Sequence, residues 1–152
     1  MVKDKNNGFS LIELVLVIVL VSIMAVYALP KLNIDIFRQS GYAQQAAASI
    51  RFAQKQAIAS GCQITVSITA GGCSLNWYNP SADGSCPANN TPIANPGSGN
   101  NNFCKDSSPA STTGLPASFT FDKIGRPSAA QNINLGNKII KVEAETGYTH
   151  EL

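Results

Sequence analysis

The sequence predicts an α+β fold on three features: an apolar run near the amino terminus, a stretch of three- and four-residue periodicity behind it, and two-residue alternations after Gly61. The first two predict one long helix, apolar in its front half and amphipathic in its back half. The third predicts an antiparallel sheet laid on that helix. At 152 residues the chain has room for at most one ordinary domain, which excludes a large multidomain enzyme. Eleven Lys and Arg against nine Asp and Glu, a net charge of +2, is too balanced for a strong nucleic-acid or anionic-lipid footprint. The 13% share of charged residues is about half the usual one, as in a protein handled by a membrane or packed into an assembly.

The first element is the apolar run. From Leu14 to Leu29 there are sixteen consecutive residues whose only polar groups are the hydroxyls of Ser22 and Tyr27. Counted from Phe9, residues 9–29 make roughly 31 Å of helix, enough to cross a hydrocarbon core of about 30 Å. Residues 1–8 form a polar leader whose Lys3 and Lys5 should stay cytoplasmic while the rest is translocated. The same pattern suits a cleaved signal peptide, with small residues at Val26-Tyr27-Ala28, or a plain anchor. Glu13 suits neither, since a carboxylate inside an apolar run costs about 2.5 kcal/mol or more near mid-helix and requires a partner.

Around it stand Gly8-Phe9-Ser10-Leu11-Ile12-Glu13-Leu14, which resemble the processing site of type IV prepilins and pseudopilins in residue type, order and spacing. The resemblance implies a pilin fold and a prepilin peptidase that cuts after Gly8 on the cytoplasmic face, leaving Phe9 as an N-methylated terminus. It also implies partners: other pilins in a helical fibre and an inner-membrane assembly platform. In such a fibre the Glu13 carboxylate pairs with the Phe9 amine of a neighbouring subunit, which offsets several kcal/mol of desolvation. Pro30 falls where the family usually has a proline, and Ser22 stands where many major pilins carry a helix-loosening glycine.

The second element, residues 30–61, places Ile36, Ala43, Ala46, Ala47, Ile50, Ala53, Ala57 and Ile58 on one face, with Gln44, Gln45, Arg51, Gln54 and Lys55 outside and Gly61 as the stop. Residues 62–152 are the periplasmic, β-rich head. Ile64, Val66 and Ile68 alternate with polar residues, Gly71-Gly72 turns the chain, and Cys73 to Tyr78 returns it. Phe119 and Phe121, Ile133 and Leu135, then Ile140, Val142 and Ala144 mark later strands, with turns at Gly136-Asn137 and Thr146-Gly147 and a last stretch from Tyr148 to Leu152.

Between them, residues 79–118 hold six of the eight prolines, seven Asn and seven Ser, so no regular element is expected. A loop that long is either a mobile insertion or a partner-contacting one. Cys86 and Cys104 lie in it, while Cys62 and Cys73 flank the first strand; four cysteines in a translocated domain predict two disulfides. A tight turn at Gly71-Gly72 separates Cys62 from the partner of Cys73 by about 27 Å, beyond bridging distance, so bridges that join the loop cysteines to the sheet or to each other are favoured.

No catalytic constellation is found. His150 is the single histidine, Asp83, Asp106 and Asp122 form no carboxylate pair, and no phosphate loop, metal motif or cofactor fingerprint occurs, so the chain is read as a non-enzyme. Three further segments, Arg51 to Gly61, Phe119 to Pro127 and Thr146-Gly147, look like the minor pilins related to the H-class pseudopilin of type II secretion, most of all those of the mannose-sensitive haemagglutinin (MSHA) type. The resemblance implies a low-copy subunit that starts or caps a fibre. A secretion pseudopilin is the alternative. A DNA-binding minor pilin is disfavoured because the C-terminal turn carries no arginine and the charge falls to +1 once Lys3, Asp4 and Lys5 are removed.

Overall fold

The computed structural model describes residues 9–28, 34–79, 84–104 and 114–152. It divides into two compact units, residues 1–34 and 35–152. The leader, Gly8 and Pro30 lie outside the described residues.

The first unit contains α1 (Leu11–Ala28), begun by the bond from the Leu14 amide to the Ser10 carbonyl at 3.2 Å. Ser22 donates its hydroxyl to the Ile18 carbonyl at 2.7 Å, so the side chain leaves no unpaired donor in the apolar helix. Among the described residues no helix is by itself long and apolar enough to cross a membrane. α1 has 18 residues and measures about 27 Å, while the 21-residue span expected from the sequence runs on to Leu29, outside the described residues.

The second unit is built on α2 (Ile34–Ser60), whose buried face consists of Tyr42, Ala43, Ala46, Ala47, Ile50, Ala53 and Ala57. Five alanines on that face let the sheets approach the helix axis closely. Two positions depart from the expected pattern: Ile36 and Ile58 are 48% and 53% exposed. Tyr42, absent from the expected face, is fully buried and donates to the Thr69 carbonyl at 2.8 Å; burial pushes its phenol pKa up. Gly61, at φ +68°, ends the helix with its amide on the Ala57 carbonyl.

The strands are β1 (Gln63–Thr69), β2 (Gly72–Tyr78), β3 (Ala117–Phe121), β4 (Gln131–Leu135), β5 (Lys138–Val142) and β6 (Thr149–Glu151). They form two antiparallel sheets, ordered β2-β1-β3 and β4-β5-β6, where the alternation alone had suggested one. The break falls after β3, where the chain folds back on itself so that Phe121 bridges Pro127. The inward residues of both sheets join the α2 face in a single core. The strand expected to include Ala144 stops at Val142, since the Gly147 amide reaches back to the Glu143 carbonyl and closes a turn.

The loop is partly ordered by main-chain pairing. Amides and carbonyls of Asn90, Thr91, Ile93 and Phe103 bond to Trp77, Leu75 and Cys73, so the described segment 84–104 runs antiparallel along the outer edge of β2. It is neither a free insertion nor a regular strand.

Candidate functional site

Two places carry the residues singled out by sequence. The first is the start of α1. Phe9 precedes the helix and is 80% exposed, and Glu13 occupies the first turn. That position corrects the mid-helix cost assigned above: exposed amides at a helix N-terminus favour a carboxylate, and Ser10-x-x-Glu13 has capping-box spacing. Glu13 nevertheless makes no side-chain hydrogen bond or ion pair with any described residue. Every described side chain from Leu11 to Val26 is exposed, so the helix presents an apolar surface on all sides with one carboxylate at its head. Such a helix needs lipid or other apolar helices around it.

The second place lies in the head, where the segments Arg51 to Gly61, Phe119 to Pro127 and Thr146-Gly147 converge. Gln54 donates its amide to two loop carbonyls, Gly125 at 3.0 Å and Thr146 at 2.7 Å. The 122–126 turn is closed by Asp122, whose Oδ1 accepts the amides of Ile124 at 3.0 Å and Arg126 at 2.7 Å. Asp122 is thus a turn-former. Gly147, at φ +67°, sits against the Gly125 carbonyl so closely that a Cβ there would collide with it. Arg51 donates from Nε and Nη2 to the Thr149 carbonyl at 3.3 and 3.1 Å. Helix and two turns therefore form one clasp centred on Gln54.

The four cysteines form two disulfides, Cys62–Cys86 and Cys73–Cys104, with Cα separations of 5.8 and 5.0 Å. The register pairs Cys73 with Ile68, so Cys62 lies six residues away along β1, about 20 Å and less than the 27 Å expected. Each bridge fixes one end of the 86–104 segment to one end of the β1–β2 hairpin. Asn102 adds to the second: its Oδ1 accepts the amides of Cys73 and Cys104, both at 3.1 Å, and its side chain fills the space a Cβ at Gly72 would need. Phe103 packs on Phe52 of α2 with ring centroids 5.5 Å apart.

Sequence reasoning missed Gln54, Tyr42 and Asn102. The first looked like an outward polar position, and its spacing to Gly125 and Gly147 carries no period that would announce the contact. Among the described residues no three His, Cys, Asp or Glu side chains gather to hold a metal. His150 stacks on Tyr148, centroids 5.5 Å apart, and lies across from Lys141, whose ammonium pairs with Glu143 at 2.8 Å and holds that carboxyl below its usual pKa.

Comparison with known proteins finds two matches. The prokaryotic N-terminal methylation motif matches residues 3–29, and the family described as Type II transport protein GspH matches residues 42–148. No curated protein and no solved structure matches the chain. The second match spans well over half of the sequence and contains the whole clasp, Arg51 and Gln54 through Gly125 to Gly147. With the methylation motif in front and the clasp within that span, the chain belongs to the Type II transport protein GspH family, a branch of the pilin and pseudopilin superfamily.

Proposed function

We propose that the chain is a minor subunit that helps to start or cap a helical fibre of the pilin type, after cleavage between Gly8 and Phe9. The observation that carries this reading is α1: an apolar helix exposed on every described side, headed by a carboxylate with no partner among the described residues. Before assembly α1 sits in the inner membrane, with residues 9–29 as the span and the head in the periplasm. The peptidase removes residues 1–8 and methylates the Phe9 amine, and the assembly platform extracts the subunit. In the fibre the exposed α1 side chains pack against other α1 helices, and Glu13 meets the Phe9 amine of a neighbour. The pair offsets the cost of burying each charge and fixes the axial register of one helix on the next.

Two fibre systems fit. The family match favours a minor pseudopilin of type II secretion, while the segments that form the clasp resemble minor pilins of the MSHA type. The deciding experiment is the mass of the N-terminal peptide from native cells, with a strain lacking its prepilin peptidase as control. A methylated peptide beginning at Phe9, absent from the control, is expected; a peptide beginning after Ala28 would defeat the reading. Deletion of the gene then separates the systems: loss of secreted enzymes marks the pseudopilin, loss of surface fibres the pilin.

A further inference from the structure

We propose that the head is a substrate of a periplasmic thiol–disulfide isomerase, which converts bridges between consecutive cysteines into Cys62–Cys86 and Cys73–Cys104. This rests on the fibre reading above in one respect, the placing of the head in the periplasm. Its basis is the order of the cysteines against their pairing. Along the chain they run Cys62, Cys73, Cys86, Cys104, and each native bridge skips one, joining the first to the third and the second to the fourth. Neither bridge joins cysteines that are neighbours in sequence.

A chain synthesised and translocated from its amino-terminal side offers Cys62 and Cys73 first. They are 11 residues apart, against separations of 24 and 31 in the native bridges, and the shorter loop closes about three to five times more readily. Only β1–β2 pairing keeps them apart: Cys73 lies opposite Ile68, which leaves Cys62 about 20 Å away along β1. An isolated two-stranded hairpin is marginal in water. β1 is the central strand of its sheet, its second neighbour is β3, and the core it joins also takes Ile133, Leu135, Ile140 and Val142. All of these follow Cys104 in the sequence. At about 5–20 residues per second, the roughly 50 residues from Cys73 to Phe121 take several seconds, enough for bridges to form by exchange with a protein disulfide. That oxidant takes two electrons and two protons per bridge and leaves Cys62–Cys73, then Cys86–Cys104.

The consecutive product does not fold. A bridge holds two Cα atoms within about 7 Å, whereas the β1–β2 register holds Cys62 and Cys73 about 20 Å apart, so each excludes the other. Nor does it repair itself: with all four sulfurs bridged, the chain has no thiolate to begin an exchange. The nucleophile comes from outside. A thiolate of the isomerase attacks Cys73 Sγ, the Cys62–Cys73 bond breaks, and Cys62 leaves as a thiolate. Cys62 then attacks Cys86 Sγ, forming one native bridge and releasing the Cys104 thiolate. Cys104 attacks Cys73 Sγ of the mixed disulfide and releases the enzyme thiolate. Two bonds of the chain break and two form, with no net change in electrons or protons. The native state ends the exchange, since Cys73 and Cys104 are 1% and 0% exposed and Asn102 Oδ1 accepts both their amides.

The test follows the full-length chain in native cells by pulse labelling, acid quenching, alkylation of free thiols and non-reducing peptide mass spectrometry. The parent strain is compared with one lacking periplasmic disulfide isomerase activity. The parent should show Cys62–Cys73 early in the chase and the native pairs late. Without the isomerase, native pairing should fall to about a third or less, the share that three connectivities give at random. An isomerase whose second active-site cysteine is replaced by alanine should be trapped in a mixed disulfide with this chain. The variant carrying Cys62→Ser and Cys86→Ser has one bridge left to make, and should form Cys73–Cys104 equally in both strains. Native pairing at the parent's rate and yield without the isomerase, or no consecutive bridge at any time, would overturn the proposal. So would isomerase dependence of the two-cysteine variant, since reshuffling has no part in it. The methylated Phe9 peptide is read from the same samples: its presence beside unassisted native pairing sinks this proposal alone, whereas cysteines that stay as thiols in a chain without that peptide sink the fibre reading with it.

Discussion

Glu13→Ala removes one carboxylate and leaves the apolar face of α1 intact, so the chain should still enter the membrane and be processed. Incorporation into fibres should fall by about tenfold or more, because the neighbour's Phe9 amine is left buried without its partner. Immunoblots of sheared fibres against whole cells measure this, and wild-type incorporation would remove the ion pair from the account. Glu13 stands out in the sequence because an apolar run makes a lone carboxylate conspicuous. Gly147 was legible only as a turn. Its left-handed backbone and its contact with the Gly125 carbonyl predict that Gly147→Ala destabilises the head by about 2 kcal/mol or more, read as a lower melting temperature. Gln54→Ala should cost about 1–3 kcal/mol by leaving the Gly125 and Thr146 carbonyls without their donor.

At the scale of elements, periodicity located α2 and most strands because burial on one face imposes it. It left open how strands associate, since that is decided by which edges meet. The division into two sheets arises at the 122–127 turn, where Asp122 closes the chain on itself and Phe121 meets Pro127. Nor does composition show that a Pro- and Asn-rich segment is tied down, because its bonds are main-chain ones to β2. The two disulfides that hold that segment differ in exposure. Cys73 and Cys104 are 1% and 0% exposed inside the core, whereas Cys62 is 5% exposed and Cys86 is half-buried at the surface. Under mild reductant in native buffer, Cys62–Cys86 should open first, with Cys73–Cys104 reacting only on the timescale of head unfolding. Differential alkylation and peptide mass spectrometry check the order; equal rates would mean that the core around Cys73 opens as readily as the loop. Replacing Cys73 and Cys104 together by serine should cost about 2–5 kcal/mol, with the loss concentrated in the 90–104 segment.

At the scale of the molecule, the two units meet different demands. The head core begins at Tyr42 and draws on α2, both sheets and the loop, while the described side chains of α1 are all exposed. Residues 35–152 contain every described core residue, with the buried helix face, the six described strands, the clasp and both bridges. Expressed alone into an oxidising compartment, that segment should be monomeric, retain both disulfides and melt in one cooperative transition, as single domains of this size do. The full chain, by contrast, should need detergent, because α1 exposes apolar side chains such as Leu11, Ile12 and Met24 at 81%, 69% and 73%. Size-exclusion chromatography and a thermal melt followed by circular dichroism test both halves of the statement. If residues 35–152 aggregated or melted without a transition, the head would depend on α1 for its core, and a subunit whose α1 can pass from lipid to fibre without disturbing the head would be ruled out.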